Sequence, residues 1–145
     1  MRAPAAICAV AIVAALGVGC GGGSSSNDKA DFIAKAEQIC KRSAAQLNLT
    51  ITQKFGPGAT KPDLVQFTKT VALLNIEGQL QQIRALPQPS EDRTVLNRYY
   101  SEFERGIAEV KRDPELVVRS SVPAAFKHAD KLARAYGITG CVRGP

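Results

Sequence analysis

The residues able to do chemistry in this 145-residue chain are few and scattered. The only histidine is His128, beside Lys127 and near Asp130. No G-x-S-x-G nucleophile turn, Gly-rich phosphate loop or His/Glu metal spacing accompanies it. A Ser-His-Asp hydrolase or a metal centre needs such partners, so the chain reads as a non-enzyme with no catalytic residue, no cofactor and no bound metal. Carboxylates sit side by side at Glu91 and Asp92, and close together at Glu102 and Glu104, where they suit solvated helix positions. Glu91-Asp92 also favours a helix N-terminus electrostatically. Four aromatic side chains, Tyr99, Tyr100, Phe103 and Tyr136, are the candidates for lining a small-molecule cavity between helices, although Tyr99 falls in an apolar register and is expected in the core.

Charge narrows the classes further. Nineteen Lys+Arg against 13 Asp+Glu give +6, but the only adjacent basic pairs are Lys41-Arg42 and Lys111-Arg112. A nucleic-acid binder gathers its cations on one face with aromatics between them, so no nucleic-acid partner is expected.

The N-terminus carries the strongest signal. Residues 1–20 read MRAPAAICAVAIVAALGVGC, with one positive charge at Arg2, an apolar run from Ala5 to Val18, and small residues ahead of Cys20. This is a signal-peptide layout, and a run of about 14 apolar residues falls short of the roughly 20 that span a bilayer as a helix. Leu16-Gly17-Val18-Gly19-Cys20 resembles the lipobox of bacterial lipoproteins, with Leu16 one place further from the cysteine than the usual aliphatic residue. The resemblance implies that residues 1–19 are cleaved and that Cys20 carries the acyl chains that hold the protein on a membrane, with the body outside the cytoplasm. Gly21 to Asn27, Gly/Ser-rich, reads as a flexible tether reaching about 15 Å. The boundaries are thus 1–19 leader, 20–27 lipidated cysteine and linker, and 28–145 folded domain.

Cysteine arithmetic follows from that reading. Cys8 leaves with the leader and Cys20 is taken by lipid, so Cys40 and Cys141 remain, and two thiols in an oxidising compartment are expected to form a disulfide. Metal binding by two cysteines 101 positions apart has poor ligand spacing, and C-x-x-C, the redox motif, is absent.

The elements that would position these groups are helical. Phe32, Ile33, Ala36, Ile39, Cys40, Ala44 and Leu47 recur at threes and fours, predicting a helix from Asp28 to about Leu49, which Gly56-Pro57-Gly58 closes off. Thr60 and Asp63 form a capping-box signature for a second helix running to about Ala85. Its apolar stripes are Leu64, Phe67, Val71, Leu74 and Ala72, Ile76, Leu80, Ile83, and Gly78 suggests a close helix crossing. Ser90 is expected to cap a third helix with Leu96, Tyr99, Phe103, Ile107 and Val110 in line, ending near Arg112. A short piece from Asp113 to Ser120 precedes a helix from about Ser121 to Tyr136, kinked or separated at Pro123, with Gly137 as a left-handed cap and Ile138 as its apolar follow-up.

No stretch alternates in the manner of a strand. The expected fold is therefore all-α: a four-helix up-down bundle closed by one disulfide, its first and last helices adjacent. Cys40 lies midway along the first helix, so either the tail after Gly137 folds back to reach it or that helix is broken. The stretches FIAKAEQIC, ALPQPSED and ARAYGITGC make the chain similar to small helical bacterial lipoproteins of no assigned role. That resemblance supports the bundle and the disulfide and implies no activity. The expected function is a membrane-anchored interaction module of the bacterial cell envelope that meets an envelope protein; a small-molecule-binding bundle and a structural spacer without ligand are the alternatives.

Overall fold

The computed structural model describes residues 25–119 and 124–142, and these are all helix, turn and loop, with no strand among them. The leader, Cys20 and the kink expected at Pro123 lie outside the described residues. Helix α1 spans Ser25–Phe55, taking in the last three residues of the expected tether and running on past Leu49. It continues because its far end is packed: the Phe55 ring meets Phe67 edge-on at 6.0 Å. Gly56 then ends it at φ +57°, a left-handed conformation that favours glycine.

Helix α2 spans Lys61–Phe67 and opens with the expected reciprocal box, Thr60 N–H donating to the Asp63 carboxylate at 3.0 Å and Asp63 N–H donating to the Thr60 hydroxyl at 3.4 Å. It does not pass straight into α3, Leu73–Arg84. A π-turn over Thr68–Ala72 intervenes, with the Leu73 N–H reaching back five residues to the Thr68 carbonyl. The wider turn inserts one residue into the apolar stripe, which corrects the expected register. Leu73, 6% exposed, takes the inward place, and Leu74, expected in the stripe, is turned outward at 66% exposure. Downstream, Leu80 and Ile83 are buried as the second stripe predicts.

Helix α4, Arg93–Arg112, has Leu96, Tyr99, Phe103, Ile107 and Val110 all buried at the expected spacing. Its entry differs from expectation. Ser90 lies inside a 3-10 turn, Ser90–Asp92, and makes no cap; Asp92 occupies the N-cap position, also without a side-chain cap bond. The short α5 covers Leu116–Arg119, with the Asp113 carboxylate accepting from the Glu115 N–H at 3.2 Å just ahead of it. A 3-10 turn, Ala124–Phe126, leads into α6, Lys127–Tyr136, later than the predicted start at Ser121.

The close crossing belongs to a different glycine. Nothing lies within 4 Å of a Cβ built on Gly78, whereas one built on Gly106 would stand 2.6 Å from the Phe126 ring and 2.8 Å from the Ala125 carbonyl oxygen. Gly106 is what lets the turn before α6 rest on α4. Gly137 ends α6 at φ +102°, with Ile138 N–H donating to the Ala133 carbonyl at 2.9 Å and the Ile138 side chain fully buried. This is the Schellman arrangement, and it turns the chain back toward α1. Since α1 is continuous through Cys40, the tail makes the approach: it lies along the side of α1.

The two glycines give opposite expectations. Gly106→Ala forces Phe126 and its backbone aside and should destabilise the fold by roughly 1–3 kcal/mol. Gly78→Ala fills open space in a helix interior and should stabilise it by about 1 kcal/mol. Denaturant melts of the two variants measure both, and equal effects would contradict the packing.

Candidate functional site

The four aromatic side chains proposed to line a cavity are all buried, and they spend their faces on one another. Tyr99 lies 5.6 Å from Tyr100 and 5.7 Å from Phe103, Phe103 lies 5.5 Å from Phe126, and Tyr136 meets Phe32 edge-on at 6.0 Å. Such pairs contribute about 0.5–1.5 kcal/mol each beyond area burial, so the cluster acts as core. The Tyr100 hydroxyl is buried without a hydrogen-bond partner, and the Arg84 guanidinium lies 5.0 Å from its ring centre. Burial pushes this phenol up to about 12, against a weak opposing pull from Arg84.

Tyr136 stands at a polar node that sequence reading missed. Its hydroxyl donates to Asp92 at 2.7 Å, the Lys29 ammonium lies 3.4 Å from the same carboxylate, and that ammonium sits 4.3 Å from the centre of the Tyr136 ring. The node joins the start of α1, the entry to α4 and the end of α6. It also explains the unused cap: the Asp92 carboxylate is committed to Tyr136 and Lys29. Burial, followed by the bond to Asp92, raises the Tyr136 phenol well above its usual range.

The second constellation is the tail clasp. Glu37 on α1 accepts from the Thr139 hydroxyl at 2.9 Å and from the Gly140 N–H at 3.1 Å, and the hydrogen bond from Gly140 is the main reason its carboxyl is held below the usual value. One residue further on, Cys141 reaches Cys40 at disulfide distance, Cα to Cα 5.0 Å, and both side chains are buried. The Gln79 side-chain amide, itself buried, donates to Cys40 Sγ at 3.0 Å. Elimination among the four cysteines pointed to the pair; Glu37 and Gln79 left no local signal.

Open clefts lie away from the aromatics. One, about 630 Å³, runs between α2 and α5 and is lined by Lys61, Val65, Gln66, Glu115, Val118 and Arg119. Another, about 430 Å³, separates α3 from α4; Leu80 and Ile107 form its floor, and the cross-helix pairs Glu77 with Lys111 and Arg84 with Glu104 bound it. A small one of about 150 Å³ adjoins Cys40 and Cys141. Among the described residues no three His, Cys, Asp or Glu side chains gather as a metal site, and His128 is exposed. No described helix is long and apolar enough to cross a membrane.

Two measurements check this arrangement. Cys141→Ser opens a closure spanning a separation of 101 residues and should cost about 4 kcal/mol in denaturant melts, with no further loss on adding reductant. The tyrosines bear on alkaline stability. Tyr100 is raised in the fold from 10.0 to about 12, so its contribution is complete below pH 10 and is lost as pH climbs toward 12. Absorbance of the Tyr100 and Tyr136 phenolates should therefore rise together with unfolding; ionisation of these two near pH 10 in a folded protein would contradict their burial. Comparison with family models, with curated proteins and with solved structures finds no match for this chain.

Proposed function

We propose that this chain is a lipoprotein of the bacterial cell envelope, cleaved ahead of Cys20, acylated there, and displayed outside the cytoplasm as a helical module that binds an envelope protein. The observation that carries this reading is the Cys40–Cys141 approach. With those two thiols facing each other, Cys20 is the one other cysteine of the cleaved chain, and it stands next to small residues at the end of a leader-like apolar run. Helical structure is present from Ser25, so the body begins soon after the proposed anchor. Two or three acyl chains on one cysteine make attachment lasting, where a single chain would be marginal.

The body is read as an up-down-up-down bundle of α1, α2 with α3, α4 and α6. Paired residues support alternating directions. Cys40 meets Gln79 while Ser43 meets Asn75; Arg84 meets Glu104 while Glu77 meets Lys111; Phe103 meets Phe126 while Asp92 meets Tyr136. In each set one number rises as the other falls.

A second reading, small-molecule binding, is favoured by the cleft between α2 and α5 rather than by the tyrosines. Its volume of about 630 Å³ falls within the roughly 300–1,000 Å³ of ordinary ligand sites.

Labelled fatty acid should enter the wild-type protein and not a Cys20→Ala variant, and the variant should leave the membrane fraction or accumulate uncleaved. A Cys20→Ala protein that still matures and partitions into membranes would remove the anchor.

A further inference from the structure

Helix α3 carries on its outward side Leu74, Gly78, Gln81 and, at its C-cap, Ala85, spaced by four, three and four residues. Leu74, Gln81 and Ala85 are exposed, and the space where Gly78 would carry a Cβ is open. Glu77 and Arg84 flank this line on one side, Asn75 and Gln82 on the other, each pair seven residues apart. The four positions have the spacing of the a and d places of a heptad, with one large apolar side chain, Leu74, among them. Within the chain α3 packs on α1 and α4 through its inner side, where Leu73, Leu80 and Ile83 are buried. The π-turn that seats Leu73 in the core also presents Leu74 outward, and a mid-helix glycine with open space beside it costs about 1 kcal/mol relative to alanine.

We propose that α3 pairs antiparallel with α3 of a second copy of this chain about a two-fold axis. The pattern is self-complementary, as such an axis requires. Leu74 of one copy faces Ala85 of the other, and Gly78 faces Gln81, so each layer sets a large side chain against a small one. Glu77 of one copy meets Arg84 of the other, and the amides Asn75 and Gln82 come opposite one another. The overall charge of +6 opposes association of copies in general. On its α4 side this face is neutral, since Glu77 and Arg84 balance and so do Lys111 and Glu104, their partners on α4; on its α1 side Arg42, beside Asn75 and Gln82, adds one positive charge. The pairing goes beyond the anchored reading and stands without it.

The test measures self-association of the full chain in mild detergent by sedimentation across a concentration series. Wild type should dimerise, and Leu74→Lys, at an exposed position, should weaken the dimer at least about tenfold with an unchanged melt. Glu77→Arg and Arg84→Glu should each weaken it about tenfold, and the double charge exchange should restore it. The exchange is the deciding variant: it re-forms the contacts between copies while leaving both contacts to α4 reversed, so a role confined to one chain gives no rescue. A wild-type chain that stays monomeric throughout the series, or a dimer indifferent to Leu74→Lys, would overturn the pairing.

Discussion

The closure of the tail onto α1 is the contact on which the architecture depends. Helix α6 has 10 residues, too few to be stable in isolation, and it must bury Ala129, Ala133 and Tyr136 against a surface that is already in place. Joining residues separated by 101 positions removes much of the freedom of the unfolded chain. The approach is prepared rather than forced. Gly137 turns the backbone, Ile138 is buried, Glu37 takes up the Thr139 hydroxyl and the Gly140 N–H, and only then do the sulfurs meet.

Around that closure α4 supplies the packing surface and the Asp92 node supplies orientation. Aromatic rings from α1, α4 and the α6 region interlock, and Gly106 allows the turn before α6 to lie against the α4 backbone. At one end Tyr136, Asp92 and Lys29 join three elements through a hydrogen bond, an ion pair and a cation–π contact. Each is modest alone; together they hold α6 at the start of α1, which brings the tail to Glu37 and Cys40.

With the aromatic residues committed to the core, the surfaces left for recognition are the sides of the bundle. The α2–α5 cleft combines cations with an apolar floor, and the outward line of α3 combines an exposed leucine, an open glycine and balanced charge. The second of these derives from the π-turn, which sets the register of α3 so that Leu73 is buried and Leu74 faces outward. This is why function is better sought on the outer faces of α2 and α3 than among Tyr99, Tyr100, Phe103 and Tyr136.

What could be read directly from the residues were features governed by neighbours a few positions apart. The helices follow from three-and-four spacing, the Thr60–Asp63 box and the Gly137 cap from hydrogen bonds within one turn, and the cysteine pair from elimination. Features governed by residues distant in sequence needed the folded chain. Ser90 and Asp92 look like caps, yet Asp92 is taken by Tyr136, 44 positions away. Glu37 is an unremarked helix-surface residue until Thr139, 102 positions on, reaches it. Gly78 and Gly106 look alike as mid-helix glycines, and only Phe126 distinguishes them. Leu73 and Leu74 exchange places because one backbone hydrogen bond shifts by a residue, a choice made by packing on α1 and α4. Local propensity sets where helices form; the competition for a limited buried volume, settled only when the helices meet, decides which side of each helix is used.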